Sequence, residues 1–372
     1  MTDTAPAIDL CLAGDVMTGR GIDQILGTPG DPRIFESSVK SAERYVELAE
    51  DRSGPIPRRV PPEYIWGDIL PELTQLAPDA FIVNLETAVT DQGRPWPGKG
   101  IQYRMHPANV GCLTAAGVDV VTLANNHVMD WSLLGLLQTL DTVAGAGIRA
   151  VGAGRTAAEA WSAATVSTPE GNRVVVLGVG AVTSGIPSQW EASPERPGVA
   201  LLSDLSSDTV AEVARAVETV ARPGDLVVLS VHWGGNWGYP IPESHRRFAH
   251  QVIDTAGVDV VHGHSSHHPL GIEIHRGRPI VYGCGDLITD YEGIGGHEEY
   301  RGELGALYLP TIDPSDGRLT RFELLPTEMK QFRLTHPSKE DVQRLADVLD
   351  RESAELGTRV SVNDAGRIEL TW

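Results

Sequence analysis

Six short stretches of this chain place polar groups directly after an apolar run. They are Gly14-Asp15-Val16-Met17, Asn84-Leu85-Glu86, Asn125-Asn126-His127 with Asp130, Val231-His232-Trp233-Gly234 and Gly263-His264-Ser265-Ser266-His267-His268. The last is Gly283-Cys284-Gly285-Asp286, followed by Asp290 and Gly295-Gly296-His297. Each alone is ordinary: an Asp after a strand commonly forms a turn or a cap, and solitary His106, His275 and His336 read as surface or packing residues. Carboxylate, carboxamide and imidazole gathered at successive strand ends instead describe a metal-binding or acid–base site. A His held by an Asp is a proton carrier near neutral pH. That marks His127 with Asp130, and His297 downstream of Asp286 and Asp290, although His297 reads equally as an exposed loop residue. Arg20, in Gly19-Arg20-Gly21, is a candidate to bind a substrate carboxylate or phosphate. Trp233 and Trp237 follow His232 in a glycine-rich loop and belong either to the core or to the wall of a pocket for an apolar substrate group.

Short β-branched runs must carry these groups: Ile8 to Ala13, Ala80 to Asn84, Val118 to Ala124, Arg173 to Val179, Leu226 to Val231, Val258 to Val261 and Pro279 to Tyr282. Helical patterns alternate with them. Trp131 to Ala144 carries Leu133, Leu134, Leu137, Leu140 and Val143, with Asp130 at the N-cap position. Val210, Val213, Val217 and Val220 form a second stripe stopped by Pro223-Gly224, and Pro242 opens a third helix closed by Gly257. Ala116-Gly117-Val118-Asp119-Val120-Val121 is echoed as Ala256-Gly257-Val258-Asp259-Val260-Val261, which predicts two strands delivering polar loops to one sheet edge. Residues 28–62 lack a clear period and read as an insertion covering the site, with a helix near Val39 to Ala49. Lys339 to Leu356 reads as an amphipathic helix before a strand or docked tail. The expected organisation is one α/β domain over 1–330, with 331–372 docked on it.

With 30 Lys plus Arg against 50 Asp plus Glu in 372 residues, the net charge of −20 argues against nucleic acid or an anionic membrane as partner. Cys11, Cys112 and Cys284 are too few for a disulfide framework and predict buried thiols. The amino terminus lacks a basic segment followed by an apolar one, and no run of apolar residues is long enough for a membrane span, so the sequence reads as cytoplasmic.

The order GDVM, NLE, LANNHVMD, VHWG, HGHSSHHP and YGCGDLITDYEG resembles the calcineurin-like metallophosphoesterase superfamily, within it the branch of the capsule-biosynthesis protein CapA, from about Ile8 to Leu309. The resemblance implies a two-layer β-sandwich flanked by helices, with a metal site at the strand ends. It implies Asp15, Glu86, Asn126, His232 and His264 as metal ligands, His127 as a catalytic histidine and His267 as partner of His264 in the closing pair. The chain departs from the superfamily pattern at three points. Met17 stands where the opening Asp-x-His has its His, Val128 replaces the Asp after the catalytic His, and two residues separate His264 from His267. These departures remove ligands that a two-metal centre needs. They point to one divalent cation, with oxygen-rich ligation suiting Ca²⁺, Mg²⁺ or Mn²⁺ and Zn²⁺ as the alternative.

The resemblance also brings an association with poly-γ-glutamate, an amide polymer, and a relative that is a lasso-peptide epimerase. The first expectation is therefore a metal-dependent acid–base enzyme that epimerises Cα of a residue in a ribosomally made peptide, with His127, Asp130, His267, His297 and Asp286 as the catalytic groups. The alternatives are a metal-dependent hydrolase, either a γ-glutamyl amidase or a phosphoesterase, and a non-catalytic binding protein that kept the fold.

Overall fold

In the computed structural model, which describes residues 6–372, the apolar runs form two β-sheets packed face to face. The first sheet contains ten of the described strands and the second seven. Parallel strands Ile8–Val16, Ala80–Leu85, Val120–Thr122 and Arg149–Val151 form one side of the first sheet, and antiparallel Leu304–Asp313 and Arg318–Lys330 the other. Arg173–Ala181, Leu226–His232 and Val260–His264 run parallel at the centre of the second.

Successive strand side chains alternate between faces, and the core divides accordingly. Leu10, Leu12, Ile82 and Val120 meet Val174, Val176, Val228 and Val260 between the sheets. The intervening Cys11, Ala13, Phe81 and Val83 face the helical layer that holds Trp66, Leu113 and Leu136. Val175, Leu177, Val227 and Leu229 face Val213, Val217, Phe248 and Val252 of the helices Ser207–Val220 and Glu243–Thr255. This is the α/β architecture the resemblance implies: a two-layer β-sandwich flanked by helices. Burying a Leu or Val side chain contributes about 1.5–3 kcal/mol, so the alternating pattern fixes both register and layer order.

Three expectations need correction. Asp130 does not cap the helix Ser132–Gly145: Trp131 holds that position, because the Asp130 carboxylate is bound elsewhere. The helix turns Gly135, Leu136, Thr139 and Val143 inward and leaves Leu133 and Leu134 exposed at 37% and 57%. The two echoed segments do not share a sheet, since Val120–Thr122 lies in the first and Val260–His264 in the second. Residues 28–62 carry a helix at Glu43–Ser53, and strand Ile368–Thr371 pairs with Arg318–Lys330, with Arg359–Val362 outside it at the sheet edge. All three cysteines are buried and unpaired. Among the described residues no helix is long and apolar enough to cross a membrane, and the reading of the amino terminus rests partly on residues 1–5, outside them.

Candidate functional site

The carboxyl ends of the parallel strands from both sheets converge. Asp15 ends Ile8–Val16 and lies opposite Asp286 of the adjacent strand Asp286–Ile288. That closeness requires Gly14: a Cβ there would stand 1.8 Å from the Gly285 carbonyl oxygen. Asn84, at the end of the neighbouring strand, donates from Nδ2 to Asp15 Oδ1 at 2.7 Å, and its Oδ1 accepts from Thr122 Oγ1 and Asn125 Nδ2, both at 3.1 Å. Glu86 follows two residues later, with Oε1 3.7 Å from His127 Nε2 and 4.0 Å from His232 Nε2.

The second sheet supplies imidazoles. His232 Nδ1 lies 2.8 Å from His264 Nδ1, and His232 Nε2 lies 3.0 Å from Asn126 Oδ1. His264 Nε2 is 2.8 Å from Ser230 Oγ. Beyond His264 the chain turns through Ser265, whose φ of 105° is costly for a residue with a side chain, and reaches His267. Its Nδ1 is 2.8 Å from Asp286 Oδ1.

Asp15, Glu86 and Asp286 are buried together, and the buried oxygens Asp15 Oδ2 and Asp286 Oδ2 have no hydrogen-bond partner. Burial and then the Asp286 charge push Asp15 up to about 7. Burial and then Asp15 hold Glu86 well above the usual carboxylate range. Burial holds His232 and His264 well below the usual imidazole value, so both are neutral nitrogen donors. Mutually repelling carboxylates with orphaned oxygens beside neutral imidazoles are a donor set that fits a divalent cation. Ligand atoms of Asp15, His232 and His264 lie within 4.8 Å of one another, as do those of Asp15, His267 and Asp286.

Two His–carboxylate pairs bracket this cluster. His127 Nδ1 is 2.6 Å from Asp130 Oδ2, and burial lowers the imidazole to about 4. For His267 burial acts downward, but Asp286 and Asp15 outweigh it and raise the pKa. Tyr103 sets its ring edge-on to His127 with centroids 4.5 Å apart, and its hydroxyl bonds that of Tyr291 at 3.1 Å. The Tyr291 hydroxyl in turn lies 3.4 Å from His267 Nε2.

The structure thus brings Asp15, Glu86, Asn126, His127, Asp130, His232, His264, His267 and Asp286 into one constellation. It does not pair His297 with an acid. His267 takes Asp286, Arg20 takes Asp290, and exposed His297 stacks on Trp237 at 4.0 Å. Trp237 sits at the rim, 5.4 Å from the His267 ring. Trp233 is core instead: it is buried, stacks on His245 and Tyr282, and donates from Nε1 to the Tyr282 carbonyl. Arg20 is not a free anion receptor either. Its guanidinium is buried, binds Asp290 through Nε and Nη2 and Glu36 through Nη1, and lies over the Tyr45 ring.

Sequence reasoning missed Lys99 and gave Asn84 no role. Lys99 Nζ lies 2.9 Å from His127 Nδ1 and also contacts Asp130 and the Asn126 carbonyl. Its Gly98-Lys99-Gly100 setting was the available signal. Past His268 and Tyr300 the surface opens into a cleft of about 620 Å³ between Tyr239, Arg301 and the helix residues Arg344 and Arg351.

A family model described as bacterial capsule synthesis protein PGA_cap matches residues 9–291. A probable polyglutamine synthesis accessory protein of Mycobacterium tuberculosis is 45% identical over 371 residues, covering 100% of this chain and 97% of that protein. The PGA biosynthesis protein CapA of Bacillus subtilis is 27% identical over 278 residues, covering 74% of this chain and 62% of that one. A crystal structure described as a novel phosphatase of Mycoplasma pneumoniae gives a TM-score of 0.48 at 10% identity, covering 89% of this chain and 95% of that one.

Proposed function

The chain belongs to the PGA_cap family of bacterial capsule synthesis proteins, and from that premise we propose a metal-dependent acid–base enzyme that acts on a peptide-like amide substrate by epimerising a Cα. One observation carries this reading. The row Glu86, Asp15 and Asp286 is closed at one end by His127 with Asp130 and at the other by His267 with Asp286. Epimerisation needs a proton taken from one face of Cα and another delivered to the opposite face. Two carboxylate-oriented imidazoles at the two ends of one cluster are suited to that exchange.

Asp15, Glu86, Asn126, His232 and His264 would hold the cation. When bound, it supplies positive charge that stabilises negative charge developing on the carbonyl oxygen next to the reacting carbon. Asp130 and Asp286 fix their imidazoles through Nδ1, so proton exchange with substrate falls to the Nε2 atoms, that of His127 facing Glu86 and that of His267 the Tyr291 hydroxyl. Tyr103 and Tyr291 join the two imidazoles. The rim stack of Trp237 on His297 would support the substrate chain.

The second reading, a γ-glutamyl amidase or phosphoesterase, draws on the relatives, which are described as a polyglutamine synthesis accessory protein and a PGA biosynthesis protein. Incubating the protein in D₂O with oligo-γ-glutamate and with linear peptides of L-residues separates the two. Deuterium at Cα with the chain intact is the expected result. Cleavage without exchange replaces epimerisation with hydrolysis.

A further inference from the structure

At the opposite end of the second sheet lies a separate histidine–carboxylate cluster. Helix Glu243–Thr255 carries His250 and Asp254 one turn apart, and strand Ile272–His275 carries Glu273 and His275 at alternate positions. The two faces meet. His250 Nε2 is 2.8 Å from Glu273 Oε1, His275 Nε2 is 2.9 Å from Asp254 Oδ1, and the two imidazoles stack with centroids 4.0 Å apart. Ligand atoms of His250, Glu273 and His275 all lie within 4.8 Å of one another.

The register puts this cluster away from the catalytic constellation. His275 pairs with Arg278, where the strand Arg278–Val281 begins, whereas His264 lies two residues past the His262–Val281 pair. His250 and His275 side chains are 30% and 18% exposed, which leaves an ion a route from solvent. Glu273 is also oriented by the Tyr282 hydroxyl, which donates to Oε2 at 2.7 Å, as a metal-ligating carboxylate usually is. Arg246 and Arg276, at 4.0 Å from Glu273 and 3.2 Å from Asp254, supply competing charge.

We propose that His250, Glu273 and His275, with Asp254 beside them, form a second divalent-metal site that clamps helix Glu243–Thr255 to the sheet edge. Two imidazoles with carboxylates select a borderline ion of the Zn²⁺ type over Ca²⁺ or Mg²⁺. His275 is then not the solitary residue its sequence context suggests. The site is independent of the chemistry performed at the other end of the sheet.

The test is equilibrium dialysis of the chelator-stripped full chain against Zn²⁺, with thermal unfolding measured on the same samples. The unaltered chain is expected to bind one equivalent more than the His250→Ala/His275→Ala variant, and Zn²⁺ is expected to raise its Tm by at least about 2 °C more. The single variant His250→Gln, which keeps a hydrogen-bonding side chain beside Glu273, should lose the same equivalent with its zinc-free Tm unchanged. Equal stoichiometry in all three proteins overturns the site. A zinc-dependent dimer abolished by the same substitutions overturns the clamp within one chain.

Discussion

The two sheets bring different chemistry to the place where they meet. The first supplies most of the oxygens: Asp15, Asn84, Glu86 and Asp286, with Asn126 and Asp130 from the loop after Val120–Thr122. The second supplies nitrogens: His232, His264 and, past the Ser265 turn, His267. His127 is the exception, an imidazole from the oxygen side. The difference teaches that neither sheet builds the site alone. Hard donors and neutral imidazoles become a mixed ligand set only when the core holding Leu12 and Val228 aligns the two strand ends.

This division can be broken by experiment. The largest effect is expected on the oxygen side, where Asp15→Asn should remove the one equivalent of divalent cation held at this cluster and lower activity about 10⁴-fold, with unchanged circular dichroism. Retained cation content would show that the imidazoles suffice. His127→Asn and His267→Asn should each lower kcat about 10³-fold without changing cation content by elemental analysis. Cation loss in His267→Asn would make His267 a ligand with Asp15 and Asp286, and the bracketing arrangement would fall.

A third prediction concerns the nitrogen side away from the site. His245, stacked on Trp233, is lowered by burial to about 4. The unfolded chain takes up this proton as pH falls below 6.5, while the folded chain stays neutral until about 4. Stability present above pH 6.5 is therefore lost across that window, by about 3 kcal/mol. His245→Asn should remove that share of the pH slope in urea unfolding between pH 7 and 4. An unchanged slope would place the proton uptake elsewhere. The smallest effects belong to the rim: Trp237→Ala should raise KM about tenfold with kcat nearly constant. His297→Ala should change KM less, about threefold, because its ring contributes only the outer face of the stack. Equal damage to kcat would return His297 to proton transfer.

Much of this site is legible in the sequence because a strand announces itself by β-branched runs, and the residue that ends the run points to the edge where ligands bind. That suffices to bring Asp15, Glu86, His127 with Asp130, His232 and His264 to one edge, while the roles given to them rest on the family resemblance. Which histidine Asp286 serves is not legible. The pairing of His267 with Asp286, rather than His297 with either acid, follows from the Asp15–Asp286 register and the turn at Ser265. Trp233 was ambiguous for a similar reason. Its side falls toward helix Glu243–Thr255 only because Leu226–His232 packs that face on Phe248. Lys99 lies in an irregular loop, where no periodicity predicts the destination of a side chain. The echoed segments show the limit most plainly: identical hexapeptides ended in different sheets, since local sequence specifies strand but not partner.

The Ser265 turn has one more consequence. A serine held at φ 105° costs about 1–3 kcal/mol relative to relaxed backbone, while glycine would adopt the same angle freely. Ser265→Gly would therefore make the folded backbone less strained. It would also permit conformations in which His264 and His267 no longer aim at Asp15 and Asp286. The chain forgoes thermodynamic stability at this turn and gains rigidity of aim, a trade of durability for precision located in a single torsion angle.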